Sequence, residues 1–188
     1  MRTDVLKGES ENYEIRCYAE TREKPLLPDG KKQNVSPAVI IKLKIKTPTE
    51  VVSGAKVTFK TDTEYSAVFA FRPESDTYVA LCYVYELPED CLTVTVTVGE
   101  TSENAELSSV KTPDLADPLA ALSFAQDSYG EFFDGKEYSE GKFEINIRLL
   151  EAEDGLYYYV GFITERKTEA FLISKDAKSV IARKTLSN

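Results

Sequence analysis

The stretch "VIIKLKIK", residues 39–46, decides how this chain folds. Apolar side chains alternate with lysines along it, and Val39, Ile41, Leu43 and Ile45 share one face. A strand directs successive side chains to opposite faces, so this period of two predicts a half-buried strand with a solvated lysine face. The stretch "LTVTVTV", residues 92–98, repeats the pattern with threonines on the polar side. Both stretches therefore indicate sheet with one buried face.

Similar short segments fill most of the first 110 residues. Further strands are predicted at Tyr13–Ala19, Ala55–Lys60, Ser66–Arg72, Tyr78–Tyr85 and Ala105–Val110. Turn sequences such as "LLPDGKK" at 26–32 and "RPESD" at 72–76 separate them. Seven closely spaced strands predict an immunoglobulin-like or fibronectin-like sandwich over residues 1–112. The chain has no tryptophan to pack on a central disulfide, so the pattern supports the architecture and not the immunoglobulin superfamily.

The strand pattern stops within "SSVKTPDLADPLAAL", residues 108–122. Asp117 followed by Pro118 is typical of a helix start, with proline at the first helical position. The apolar face of this helix is predicted to comprise Pro118, Leu122, Ala125, Tyr129 and Phe132, with Gly135 as its C-terminal stop. Four strands follow, in "KFEINIRL", "LYYYVGFIT", "EAFLIS" and "SVIARKT". Residues 113–188 are therefore predicted to form a small α+β unit, one helix on a four-stranded antiparallel meander, in a mainly β protein.

Three consecutive tyrosines in "LYYYVGFIT" raise the question of a ligand site. Tyr158 lies in phase with Val160 and Phe162, the more apolar face, which we expect to meet the helix. Tyr157 and Tyr159 then lie on the outer face, where they either pack against the first domain, as we expect, or stay open. An open pair flanked by Tyr138 would form an aromatic patch for a ligand. The candidate ligand-binding residues are therefore Tyr157, Tyr159 and Tyr138.

Composition excludes several classes of function. Lys and Arg number 23 against 32 Asp and Glu, and a formal net charge of −9 argues against a nucleic-acid partner. The chain contains no histidine, which removes Ser-His-Asp and Cys-His catalysis and the commonest zinc ligand. No catalytic residue is predicted, and an enzyme of this sequence would depend on carboxylates, lysine or tyrosine.

No metal and no cofactor are expected. Acidic residues cluster in loops, for example Glu151, Glu153 and Asp154, but none has the spacing of an EF-hand. The nine glycines form no phosphate-binding loop.

The three cysteines leave two alternatives open. Cys17, Cys82 and Cys91 contain no C-x-x-C pair, so they are ordinary thiols, or Cys17 and Cys82 form a bridge across the sandwich in an oxidising compartment.

No stretch approaches the roughly 20 apolar residues of a transmembrane helix, and the first residues lack the apolar run of a signal peptide. "NYEIRCYAETREKPLLPDG", residues 12–30, resembles the opening of uncharacterised surface lipoproteins of Gram-positive bacteria. "FLISKDAKSVIARKTL", residues 171–186, resembles the final hairpin of PepSY-like secreted modules. The resemblance implies an extracellular or cell-surface location. The acylated cysteine of a lipoprotein is missing from these segments, so a lipid anchor would lie outside this sequence.

These observations favour a non-enzymatic binding or interaction module of the cell envelope, with a surface protein or a glycan as partner. The alternative is a small carboxylate-dependent enzyme acting on glycans, which would need two carboxylates about 5–9 Å apart across a cleft.

Overall fold

The computed structural model describes residues 1–23, 35–46, 53–84, 87–133 and 143–188. Within them the fold is mainly β, with a short 3₁₀ turn at Pro73–Ser75. In chain order the strands and helices are β1 (Arg2–Glu9), β2 (Tyr13–Glu23), β3 (Val35–Ile45), β4 (Lys56–Lys60), β5 (Glu64–Val68), β6 (Ala70–Arg72), β7 (Thr77–Cys82), β8 (Cys91–Val98), β9 (Thr101–Ser109), α1 (Pro118–Asp127), α2 (Gly130–Phe133), β10 (Glu144–Ala152), β11 (Gly155–Ile163), β12 (Lys167–Ser174) and β13 (Val180–Ser187).

The chain divides into two compact units. The first, here called the sandwich unit, comprises Asp4–Thr21 and Ser36–Val110. The second, the C-terminal unit, comprises Met1–Thr3 and Lys111–Asn188 together with the described ends of the 22–35 segment. Among the described residues, no helix has both the length and the apolar composition needed to cross a membrane.

The sandwich unit has two layers of strands around one core. One layer has the order β2-β3-β7-β6 and the other β9-β8-β4-β5, and β1 is hydrogen-bonded to both β2 and β9. The chain also changes layer between β3 and β4, between β7 and β8, and at Phe69. This buried residue separates β5, which pairs with β4, from β6, which pairs with β7. The sequence predicted a single strand over Ser66–Arg72, which was wrong because the hydrogen-bonding partner changes at Phe69.

Alternation within the strands builds the core, as the sequence predicted. Val39, Ile41 and Leu43 in β3 are buried, and so are the apolar residues of β8 at 92, 94 and 96. On the outer side of β8, Thr95 donates a hydrogen bond to Asn104 Oδ1 over 2.8 Å. β3 and β8 thus bury one face and leave the other accessible, which is the condition for two sheets to pack face to face.

Strand β1 was missed by the sequence reasoning. Its segment "RTDVLKGE" mixes charged and apolar residues without clean alternation, yet Val5 and Leu6 are buried. The burial comes from pairing: Leu6 lies opposite Ser109 of β9, and the Val110 amide donates to the Val5 carbonyl over 3.1 Å. The local sequence does not show this, because the partner strand is about 100 residues away.

The cysteines are free. Cys17 in β2 and Cys82 in β7 are buried, and Cys91 is exposed. The alternative of a Cys17–Cys82 bridge is wrong because β3 lies between β2 and β7. Two strand spacings separate them by about 9–10 Å, which exceeds the Cα separation of roughly 7 Å that a disulfide tolerates.

The C-terminal unit contains the predicted helix and four-stranded antiparallel meander. β10 to β13 pair in chain order, and Arg2 of β1 lies opposite Arg148 of β10 in parallel orientation. A hairpin joins β10 to β11, with Ala152 opposite Gly155 and two residues, Glu153 and Asp154, in the turn. Gly155 has φ +145°, a conformation that other residues rarely adopt, which explains a glycine at this position.

Helix α1 begins where the sequence predicted and ends earlier. The Asp117 side chain accepts a hydrogen bond from the Leu119 amide over 2.7 Å, and Pro118 occupies the first turn. The helix ends at Asp127: the Ser128 hydroxyl donates to the Phe124 carbonyl, and the next amide, that of Tyr129, donates to the Gln126 carbonyl three residues back, which departs from the α-helical pattern. Of the predicted apolar face, Ala125 and Tyr129 are buried together with Ala121, whereas Pro118 and Leu122 are half-buried. Gly135 lies outside the described residues.

The helix packs on the face of the meander that the sequence assigned to it. Tyr158, Val160 and Phe162 are essentially inaccessible to solvent. The Tyr158 hydroxyl donates to the Ala116 carbonyl over 2.5 Å, which ties the segment before α1 to β11. Buried apolar residues at 147, 149, 171 and 173 complete this core.

Candidate functional site

The outer face of the meander carries the tyrosines that the sequence singled out. Antiparallel register places Tyr157 beside Leu150 of β10, and Tyr159 between Arg148 of β10 and Leu172 of β12. Residues that oppose each other in neighbouring strands share a face of the sheet. We call the surface formed by these residues and Gly161 the tyrosine face. Its reverse side is the core under α1, so the face lies on a rigid support.

Tyr157 is half-exposed and held through its hydroxyl group. The hydroxyl donates a 2.9 Å hydrogen bond to Asp154 Oδ2 in the preceding turn. This bond to a carboxylate raises the pKa of Tyr157 above its usual value, because the phenolate would be repelled by the same carboxylate. The ring is thereby held next to an acceptor group at the hairpin end of β11.

Tyr159 is also half-exposed, and two neighbours fix its ring. The Arg148 guanidinium carbon lies 5.7 Å from the ring centroid, within the range of a cation–π contact. The end of the ring lies over Gly161, where an added Cβ would come within 2.6 Å of the Tyr159 hydroxyl. Gly161 therefore leaves room for the ring to lie along the strand.

The structure brings together two of the three candidate ligand-binding residues. Tyr157 and Tyr159 lie on the same face at alternate positions of β11, as the sequence predicted. Tyr138 lies outside the described residues, so its place near the pair stays a prediction. The tyrosine face thus combines two partly exposed rings, a guanidinium group and a carboxylate. Such a set can stack on an apolar ligand surface and hydrogen-bond hydroxyl or amide groups at its rim.

A second polar group, on the helix side of the meander, was missed by sequence reasoning. Glu169 is buried and accepts hydrogen bonds from Thr185 over 2.8 Å and from Lys167 Nζ over 3.3 Å. Lys167 Nζ also donates to the Tyr129 hydroxyl over 3.1 Å, and the Arg183 guanidinium lies 4.3 Å from the Tyr129 ring centroid. The segment "KTEAFLIS" does indicate that Glu169 is buried, because Glu169 lies on the same face of the strand as the apolar residues at 171 and 173.

In this polar cluster one carboxylate faces two cations, because Arg183 also lies within 3.5 Å of Glu169. Burial alone would raise the pKa of Glu169, but the hydrogen bonds from Thr185 and Lys167 and the charge of Lys167 outweigh it and lower the pKa. The pKa of Lys167 is raised, chiefly by its hydrogen bond to Tyr129 and then by Glu169. Glu169 is therefore a stabilised carboxylate and Lys167 a stabilised ammonium, which is the arrangement of a structural ion pair and the opposite of a poised acid or base.

Several acidic loop residues have structural partners. Asp117 caps α1, Asp154 accepts from Tyr157, and Asp114 pairs with Lys175 over 2.7 Å. Hydrogen bonds from Lys175 and Thr112 lower the pKa of Asp114 to about 2. Within the described ranges, no group of three or more His, Cys, Asp or Glu residues is placed to hold a metal ion.

Comparison with known proteins provides no template for the site. No protein-family model, no curated protein and no solved structure matches the chain. The function is therefore inferred from the residues of the site.

Proposed function

We propose that this protein is a non-enzymatic binding module of the cell envelope, and that its tyrosine face contacts a surface protein or a glycan. The observation that carries the proposal is the fixed pair of partly exposed rings, Tyr157 held by Asp154 and Tyr159 held by Arg148. A ring that is already fixed loses little conformational entropy on binding, so its contact area contributes more fully to affinity.

The alternative function, a carboxylate-dependent enzyme acting on glycans, gains no such support. Two carboxylates are buried in the part of the chain that the structure describes, Glu20 in the sandwich unit and Glu169 in the C-terminal unit. The Glu169 carboxylate already accepts hydrogen bonds from Thr185 and Lys167. The two-carboxylate chemistry of glycoside hydrolysis requires a facing pair, and the two buried carboxylates belong to different units.

The test uses a double variant that combines Tyr157→Ala and Tyr159→Ala. Its binding is compared with that of the wild-type chain on a glycan array and in a surface-protein screen. A matched control is Thr95→Ala, which alters an outer-face side chain of the sandwich unit. We expect the double variant to lose binding that Thr95→Ala retains, with both variants folded by circular dichroism. Equal binding by both variants would exclude the tyrosine face, and turnover of a glycan abolished by one carboxylate substitution would refute a non-enzymatic function.

Two single variants separate the role of the Tyr157 hydroxyl group from that of the Tyr159 ring. Tyr157→Phe removes the bond to Asp154 while it keeps the ring, and Gly161→Ala forces the end of the Tyr159 ring to move. If stacking dominates, Tyr157→Phe should bind almost as well as the wild type, and Gly161→Ala should bind more weakly. The reverse order would assign recognition to the Tyr157 hydroxyl.

A further inference from the structure

Strand β13 forms an open edge of the meander in the described structure. Its described strand partner is β12, and all eight of its residues are exposed. Three of them, Val180, Ile181 and Leu186, are large apolar residues with 38–52% of their surface accessible. Open edges carry unpaired backbone groups and can accept a further strand.

The register shows which backbone groups face outward. The Asn188 amide donates to the Arg166 carbonyl over 3.1 Å, and the pairing then runs through Leu186 opposite Thr168 and Lys184 opposite Ala170. Hydrogen-bonded and non-hydrogen-bonded pairs alternate in an antiparallel ladder. The amides at 184 and 186 are therefore used by β12, whereas the N–H and C=O groups of Arg183 and Thr185 point away from the sheet.

The charge on this edge is opposite to that of the whole chain. Residues 178–188 contain Lys178, Arg183 and Lys184 and no Asp or Glu, in a chain of net charge −9. Arg183 is already paired with Glu169 over 3.5 Å, and Lys178 lies 3.7 Å from Asp176. Lys184 has no carboxylate within ion-pair distance among the described residues. The edge therefore offers an uncompensated cation next to outward-facing backbone groups.

A second copy of the chain does not match this edge. Pairing β13 with a second β13 would bring the uncompensated Lys184 of each strand to one junction, and like charges opposite each other destabilise a strand pair. A strand with an acidic residue opposite Lys184 would instead neutralise the charge of its ammonium group. Apolar residues two positions to either side would lie beside Ala182 and Leu186, which share the face of Lys184.

We infer that β13 binds an extended acidic segment of a partner protein, which adds to the sheet as a fifth strand next to β13. The Arg183 and Thr185 backbone groups form the ladder, and Lys184 selects the carboxylate. This inference does not rest on the ligand of the tyrosine face, because the backbone groups of β13 and the Lys184 side chain carry it. The double substitution of Tyr157 and Tyr159 therefore serves as a control that should leave strand addition intact.

The experiment titrates the isotopically labelled full chain with the capped peptide Thr-Val-Thr-Glu-Thr-Val-Thr. The control peptide carries Lys in place of Glu. Nuclear magnetic resonance should show slower solvent exchange of the Arg183 and Thr185 amide protons on addition of the acidic peptide, and little change at 184 and 186. We expect the lysine peptide to bind about fivefold more weakly, from the size of cross-strand charge pairs. Lys184→Glu should invert this preference.

A matched pair of variants tests the backbone contribution. Thr185→Val keeps the outward N–H but loses the hydroxyl that bonds Glu169, whereas Thr185→Pro loses both. We expect Thr185→Val to bind the acidic peptide and Thr185→Pro to fail. Lys184→Glu provides an independent test, because its side chain is exposed and its change does not affect the ladder to β12.

Three results would overturn the inference. One is equal affinity for the two peptides. Another is unchanged exchange of the Arg183 and Thr185 amides at saturating acidic peptide. The third is protection of these amides without peptide that increases with protein concentration, which would identify a second copy of the chain as the added strand.

Discussion

Phe162 is the residue whose removal tests the assignment of the two sheet faces most directly. Its side chain is completely buried on the helix side of β11. Its ring centroid lies 5.9 Å from that of Phe171 in an edge-to-face arrangement and 6.3 Å from that of Tyr129. Phe162→Ala would delete the ring from the point where α1, β11 and β12 meet, and would leave a cavity that these elements cannot fill without moving.

The expected loss in the free energy of unfolding is about 3–5 kcal/mol, the usual cost of replacing a buried phenylalanine by alanine. The two aromatic pairs account for roughly 0.5–1.5 kcal/mol each of this loss. With a urea dependence of about 2 kcal/mol per molar, a loss of about 4 kcal/mol moves the unfolding midpoint down by roughly 2 M. A shift of this size is easily measured for a domain of ordinary stability.

The assay is urea unfolding followed by circular dichroism and by the fluorescence of the 11 tyrosines, of which Tyr129 lies next to the cavity. Two variants serve as controls. Phe143→Ala removes a ring that is partly exposed, so the loss should be smaller, below about 3 kcal/mol. Thr95→Ala removes one exposed hydrogen bond to Asn104 and should cost about 0.5–1 kcal/mol. Equal midpoints for Phe162→Ala and Thr95→Ala would show that the assignment of the buried face is wrong.

Three further predictions concern pH, thiols and metal. Glu169 has a lowered pKa, so its contribution to stability is present above its unfolded pKa of about 4.3 and is lost as the pH falls below it. Lys167 has a raised pKa, so its contribution to stability is lost only as the pH rises above about 10.4. When the urea midpoint is plotted against pH, Glu169→Gln should therefore flatten the acid side of the curve and change the basic side less. Alkylation of the native protein followed by mass spectrometry should modify Cys91 rapidly, whereas Cys17, whose pKa burial and then the neighbouring Cys82 raise to about 12, should react only on unfolding. A chelator or added calcium should leave the melting temperature unchanged, and a rise of several degrees with calcium would contradict the prediction that no metal is bound.

The candidate site was predictable where it depends on alternation. Tyr157 and Tyr159 were assigned to the outer face of β11 from the sequence, and the structure places them there. The contacts that fix their rings were not predicted, since they come from a neighbouring strand, from a turn residue and from a glycine two positions along. The buried cluster around Glu169 was missed because its partners Tyr129, Lys167 and Thr185 come from the turn after α1 and from two strands.

The fold prediction fails where hydrogen bonding to a partner strand determines whether a segment is a strand and where that strand ends. Residues 66–72 read as one strand by composition, but the chain changes from β4 to β7 as its partner at Phe69. β1 has little alternation of its own and becomes a strand through β2 and β9. The helix was expected to continue past Ser128, but the Tyr129 amide donates to the Gln126 carbonyl three residues back, and the regular α-helical bonds stop there.

By itself the sequence determined the strand content, the buried face of β3, β8 and β11, the start of α1 and the meander that follows it. These features depend on the side-chain period and on capping residues within a few positions. Residues close together in the sequence therefore determine which face of a strand or helix gains free energy by burial. Only the tertiary structure decided the order of the strands, the free state of the cysteines, the ion pair at Glu169 and the open edge at β13. Each of these depends on which distant segments lie side by side, and local patterns of hydrophobicity do not distinguish between alternative partners.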